Sequence, residues 1–222
     1  MNFRRQFGIL CESFGGEVTE DEGILTCLFK EGDYEDYEAF SRWLFKNAVV
    51  NRRRGDFKAK FEGHWGDEEY EAEFVVSNGK ATVREEVRKN LGSYESIHDW
   101  VGETLEEMGV PEEKIEELDL TPAYAEASRR VETYDYSKLP NAKPYIFMEG
   151  RVNCYTESDW NYDVERLVCY GEAQIDSSAH LPSVMDDLRN IVDKAIEVAS
   201  DEWHSTFIEK VKEALARKII AR

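Results

Sequence analysis

Residues able to do chemistry stand in only a few local combinations. Arg52, Arg53 and Arg54 run together next to Lys58 and Lys60, and a basic run with aromatic neighbours is a composition that grips phosphates. The same cations also suit the C-terminus of a helix, where each favourable charge contributes about 0.3–1 kcal/mol against the helix dipole. Glu197, Asp201 and His204 follow one another at i, i+4 and i+7, with Asp193 a turn earlier. Hard oxygens with one imidazole on one helical face can ligate a divalent ion when a second helix adds donors. Here the repeated Glu-x-x-His pair of di-iron bundles is missing, and an amphipathic helix needs polar residues on its outer face anyway, so no metal is expected. His64 beside Asp67, Glu68 and Glu69 reads in the same way, as an acidic turn at the surface.

A third combination is the polar face of two extended runs near the C-terminus. Alternation places Tyr145, Phe147, Glu149, Arg151, Asn153 and Tyr155 on one strand beside Arg166, Tyr170 and Glu172 on the other. Tyr and Arg interleaved with Glu suit a recognition surface, and they equally suit a solvated sheet with cross-strand charge pairs. Nucleophilic catalysis finds no support: GxSxG, GxxxxGK[ST] and GxGxxG are absent, and carboxylates are too numerous for any pair to be informative. No catalytic residue and no cofactor is expected.

The cysteines Cys11, Cys27, Cys154 and Cys169 lack CxxC spacing, which argues against zinc and against a redox dithiol. Buried free thiols are the expectation. A Cys154–Cys169 bridge is the alternative. If the turn between the two runs centres on Asp159 and Trp160, opposed residue numbers sum to 319, placing Cys154 opposite Glu165 and Cys169 opposite Gly150, too far apart to bridge.

Those residues need elements to hold them. The 222-residue chain is 41% hydrophobic and 34% charged, a composition that folds, and its Trp, Tyr and Phe residues supply a real core. The first dozen residues read as an amphipathic helix on Phe3, Phe7, Leu10, Cys11 and Phe14, ended by Gly15-Gly16. A hairpin about Glu20 to Gly23 follows, then a helix from about Tyr34 to Arg54 that Gly55 stops. Alternation from Phe57 to Trp65, from Tyr70 to Val76 and, after Asn78-Gly79, from Ala81 predicts an antiparallel meander. Helices over Ser93 to Met108, from Pro111 to Leu118 and from Thr121 to about Arg130 make an acidic middle, with a linker from Tyr134 to Pro144. The two extended runs, Tyr145 to Thr156 and about Tyr162 to Asp176, make a long hairpin. Pro182 then precedes a helix from Ser183 to Arg222, with Ser183 and Asp186 resembling a capping box.

The fold class expected is α+β in three segments: residues 1–90, an antiparallel meander with helices; 91–140, helical; and 141–222, a long β-hairpin followed by a long α-helix. The net charge of −19 disfavours general affinity for nucleic acid, since the whole-chain field repels phosphate. No apolar run spans a bilayer and the N-terminus is too charged for a secretion signal, so a cytoplasmic, non-membrane protein is expected. Abundant Glu with only Gln6 and Gln174 resembles the surfaces of heat-adapted proteins. The expected function is non-enzymatic: an acidic protein acting through a protein partner or self-assembly, with homo-oligomerisation driven by an exposed apolar stripe on the terminal helix. The alternatives are a nucleic-acid accessory protein using Arg52–Arg54, Lys58 and Lys60, an acidic nucleic-acid mimic, and a ligand-binding module or hydrolase on the C-terminal hairpin.

Overall fold

A computed structural model describes residues 2–139, 152–159, 164–175 and 181–220. The protein is α+β. Its elements run α1 (Phe3–Ser13), β1 (Glu17–Asp21), β2 (Ile24–Phe29), α2 (Tyr34–Leu44), β3 (Asp56–Trp65), β4 (Glu68–Ser77), β5 (Lys80–Ser93), α3 (Tyr94–Glu107), α4 (Glu112–Glu116), α5 (Thr121–Thr133), β6 (Asn153–Asp159), β7 (Val164–Ile175) and α6 (Leu181–Ile220). Hydrogen-bonded strand order is β1-β2-β3-β4-β5-β7-β6. The chain forms two compact units, one of Met1–Val87, Tyr136–Val152 and Tyr170–Lys194, the other of Arg88–Asp135, Asn153–Cys169 and Ala195–Arg222. β5, β7 and α6 each contribute residues to both.

In the first unit the β1–β2 hairpin turns through Glu22 and Gly23, both at positive φ, and Asn78-Gly79 does the same between β4 and β5. Two successive residues at φ > 0 give the turn whose twist matches its strands, which is why Gly and Asn stand there. β2 and β3 pair in parallel, because α2 carries the chain over the sheet between them, whereas β3 and β4 are antiparallel. Register aligns Phe29, Phe61 and Ala72 in one row and Cys27, Ala59 and Phe74 in another, all buried. Against that face pack Phe7 of α1 and Phe40 of α2, whose rings meet edge to face at 5.1 Å, with Phe40 also 5.7 Å from Phe29. This is the period-two and period-3.6 patterning of the sequence meeting in one core.

Two sequence expectations need correction. The α2 segment is α-helical only to Leu44 and continues as a π-helical stretch over Phe45–Val50; Arg52, at φ 48°, turns the chain out of the helix before Gly55 is reached. α6 runs Leu181–Ile220, with Ser183 and Asp186 in its first turns. Pro182 is tolerated there because first-turn amides have no intrahelical acceptor.

The cysteines are the second correction. All four are bonded, Cys11 to Cys27 and Cys154 to Cys169. Cys154 and Cys169 face each other at a Cα–Cα distance of 4.2 Å, so the opposed numbers of β6 and β7 sum to 323, not 319. The pairing register therefore differs from one centred at Asp159 and Trp160. A register change of four positions leaves every side chain on its own face, since the side-chain period is two, and changes only which residues are opposite.

The apolar stripe of α6 is not exposed. Val184, Leu188, Val192, Ala195, Ala199, Trp203, Phe207 and Val211 are all buried within the chain, which removes the stated drive for self-association through that helix.

Candidate functional site

In the second unit α3, the segment from Leu118 to Ser128 and the β6–β7 hairpin enclose a cleft of about 630 Å³. Its walls are set by local rules. Ser93 caps α3 by accepting the amide of Ser96 at 3.0 Å, which fixes Tyr94 as the first helical residue, and His98 follows one turn later on the same face. Asp119 accepts the amide of Thr121 at 3.0 Å and starts α5, which then presents Tyr124, Ala125 and Ser128. Thr156, Ser158 and Glu165 come from the hairpin.

The chemistry of the cleft centres on Glu165, a side chain only 6% exposed. Ser158 Oγ donates to Glu165 Oε2 at 2.7 Å, and Tyr94 Oη lies 3.5 Å from the same oxygen. Among the described residues neither a hydrogen bond to Oε1 nor a salt bridge to this carboxylate is formed. The Tyr94 and Tyr124 rings meet edge to face at 5.8 Å and make a corner beside it. Tyr124 is held from behind by Phe207 at 4.7 Å and Trp203 at 5.8 Å, so its ring is pre-positioned. Burial, then Tyr94, then Glu165 push the Tyr124 hydroxyl up to about 12, so it stays a neutral donor at ordinary pH. Among the described residues the lining includes two carboxylates, Asp119 and Glu165, and one imidazole, His98, but no Lys or Arg.

The first unit holds a different cluster. The Arg189 guanidinium lies 4.4 Å from the ring centroids of both Tyr34 and Trp65, a cation between two aromatic faces. Beneath it Glu85 is 4% exposed, and burial pushes its carboxyl well above the usual range, with Arg189 and the Tyr34 hydroxyl pulling down and Asp193 and Glu38 pushing up. Burial likewise raises Tyr34, Glu38 and Asp193. One guanidinium thus compensates several crowded acidic groups. That is a structural network of coupled charges, in which Asp193 Oδ1 is buried without a hydrogen-bond partner among the described residues.

The sequence-predicted residues fall out as follows. Arg52, Arg53 and Arg54 are exposed, and Arg53 lies over the Phe3 ring at 5.8 Å. Lys58 pairs with Glu73, and Lys60 pairs with Glu62 at 2.8 Å and Glu71 at 3.2 Å, so both lysines face carboxylates across the β3–β4 ladder instead of solvent phosphate. Tyr145, Phe147, Glu149 and Arg151 lie outside the described residues. Asn153, Tyr155 and Arg166 belong to the second unit and Tyr170 and Glu172 to the first. There Arg84 donates to Glu172 and to Glu86, each at 2.7 Å, and stacks over Tyr170 at 4.1 Å, which ties these two side chains into the sheet. His204 donates from Nδ1 to the Ser200 carbonyl oxygen at 2.8 Å and packs edge-on against Trp203 and Trp100. Among the described residues no three His, Cys, Asp or Glu side chains come together as a metal site.

Sequence reasoning missed the cleft. It looked for a site on the hairpin face of Tyr155, Arg166 and Tyr170, whereas the cavity forms on the face of Thr156, Ser158 and Glu165. One signal was available: Glu165 interrupts the otherwise apolar inward series Leu167, Cys169, Gly171, Ala173 and Ile175, and a carboxylate on a buried face calls for a partner. No helix among the described residues is long and apolar enough to cross a membrane. Comparison with protein-family models, with curated proteins and with solved structures finds no match to this chain.

Proposed function

We propose that the protein is a non-enzymatic, acidic binding protein whose working site is the cleft between α3, α5 and the β6–β7 hairpin. The observation that carries this reading is the combination of concavity with convergent recognition groups: a volume in the range of ligand pockets, two tyrosine rings, hydroxyls from Ser128, Thr156 and Ser158, and a buried carboxylate at the base. The basic run at Arg52–Arg54 supports a phosphate-binding role less well, because Lys58 and Lys60 are engaged by Glu73, Glu62 and Glu71.

The test is a ligand-observed NMR screen of small fragments against the full chain and against Ala125→Trp. Ala125 is exposed on α5 and lines the cleft, so the new indole fills the space without disturbing the core. Fragments that bind the native chain and are lost in Ala125→Trp support the reading. Binding that ignores the substitution, or no binding at all, overturns it.

A further inference from the structure

We infer that the group bound in this cleft is an organic cation, an alkylammonium or guanidinium group seated on Glu165 in the corner of Tyr94 and Tyr124. The inference rests on the reading of the cleft as the binding site and specifies the ligand's chemistry.

Three carboxylate side chains are buried among the described residues, Glu85, Glu86 and Glu165. Each of the first two has a basic partner. Arg189 faces Glu85, and Arg84 donates to Glu86 at 2.7 Å. Glu165 has hydroxyls only, Ser158 at 2.7 Å and Tyr94 at 3.5 Å. Removing a carboxylate from water costs several kcal/mol after relaxation, and neutral donors offset only part of that, so buried carboxylates are retained where a cation meets them. Among the described residues no Lys or Arg lines the cleft; its other titratable wall residues are the His98 imidazole and the Asp119 carboxylate, and neither His98 nor any other basic side chain forms a salt bridge or hydrogen bond with Glu165 there.

The remaining walls fit the same occupant. Aromatic faces attract a cation through their quadrupoles, the more strongly the less the site is exposed. Tyr94 and Tyr124 stand edge to face at 5.8 Å, giving two ring surfaces at one corner, and Trp203 and Phe207 prevent Tyr124 from swinging away. Thr156 and Ser128 add hydroxyl oxygens able to accept from an ammonium. The net charge of −19 draws cations toward the molecule at long range. An anionic ligand would meet two carboxylates and, among the described wall residues, no Lys or Arg.

The experiment is a titration, by ligand-observed NMR or calorimetry at moderate salt, with three probes of matched size: butylammonium, butanol and butyrate. Each is added to the native chain, to Glu165→Gln and to Ala125→Trp, with far-UV circular dichroism to confirm that each variant is folded. The expected result is that butylammonium binds the native chain at least about tenfold more tightly than butanol, that butyrate does not bind, and that Glu165→Gln abolishes the preference while leaving the weak binding of butanol intact. Tyr124→Leu weakens the ammonium several-fold and Tyr124→Phe does not, since the ring and not the hydroxyl is the cation's partner. Equal binding of butanol and butylammonium, or undiminished ammonium binding in Glu165→Gln, overturns the cation inference and leaves the cleft reading standing. Ammonium binding that persists in Ala125→Trp is attraction to the acidic surface and also overturns it. Fragments of any charge failing to bind the native chain sink the cleft reading itself.

Discussion

The hydroxyl of Tyr34 stands 3.4 Å from Oε1 of Glu85, a carboxylate 4% exposed beneath the guanidinium of Arg189. Burial raises the folded-state pKa of Glu85 well above its ordinary value, so the native state binds its proton more tightly than the unfolded state does. Stability from this group is fully present below the unfolded carboxyl value and is lost as pH rises through the folded one. Glu85→Gln keeps the shape and removes the titration. The variant should match the native chain at acid pH and melt higher at neutral and alkaline pH, by about 1–3 kcal/mol or a few degrees. Thermal melts across a pH series check this, and a constant difference at every pH contradicts it.

Arg189 acts on the same cluster from the other side. Its charge pulls down the carboxyls of Glu85 and Asp193 and lies against the Tyr34 and Trp65 rings. Arg189→Met retains much of the volume and removes the charge. The expected loss is about 1–3 kcal/mol, growing as pH rises, because carboxyls whose pKa is raised ionise further as pH rises and then need the guanidinium more. Arg189→Lys should recover part of the pH dependence but little of the ring contact, since an ammonium lacks the planar face. Urea unfolding at two pH values reads both effects.

Much of the first unit is legible in the sequence, and the physical reason is that its rules are local. Alternation in Phe57 to Trp65 and Ala72 to Val76, the Asn78-Gly79 turn and the stripe of Phe3, Phe7 and Cys11 each act within a few residues. What could not be read depends on register across long elements. Cys154 and Cys169 bridge because β6 and β7 pair in a register that composition does not mark. β5, β7 and α6 each supply residues to both units, which local patterning along the chain does not reveal. The cleft combines residues from α3, α5 and the hairpin, and no local spacing connects Tyr94, Tyr124 and Glu165.

The two disulfides close sequence separations of 16 and 15 residues. Loops of that size correspond to about 3 kcal/mol each in the chain-entropy account. Alkylation of the unfolded, unreduced protein should add nothing to its mass, and reduction beforehand should expose all four cysteines. Replacing either pair by serine should lower the melting temperature by roughly ten degrees. Alkylation of native material without reductant would show that the thiols are free.

Gly16 is the residue that makes room for the Cys11–Cys27 bridge. A Cβ built there would sit 2.5 Å from Cys27 Sγ and 2.9 Å from Cys11 Sγ, and both cysteines are fully buried, so neither sulfur can retreat into solvent. Gly16→Ala should therefore cost about 1–3 kcal/mol as overpacking. In a background with both cysteines changed to alanine the same substitution should cost much less, because the sulfur atoms it strikes are gone. A double-mutant cycle by urea unfolding measures that coupling.

Lys60 holds together two carboxylates that the register sets directly opposite, Glu62 on β3 and Glu71 on β4. Like charges at opposed positions destabilise an antiparallel pair, and the ammonium between them, 2.8 Å and 3.2 Å from the two, reverses the sign of that interaction. Lys60→Met should cost about 1–2 kcal/mol, more than an exposed ion pair would, since it restores the repulsion as well as removing two attractions. Adding Glu71→Gln to it should recover most of the loss, whereas Glu71→Gln alone should be nearly neutral. The same pairs bear on phosphate binding: an incoming phosphate would have to displace Glu62 and Glu71 before it reached Lys60. A gel shift at low salt that depended on Lys60 would show that the carboxylates yield, and undiminished stability in Lys60→Met would show that they never needed it.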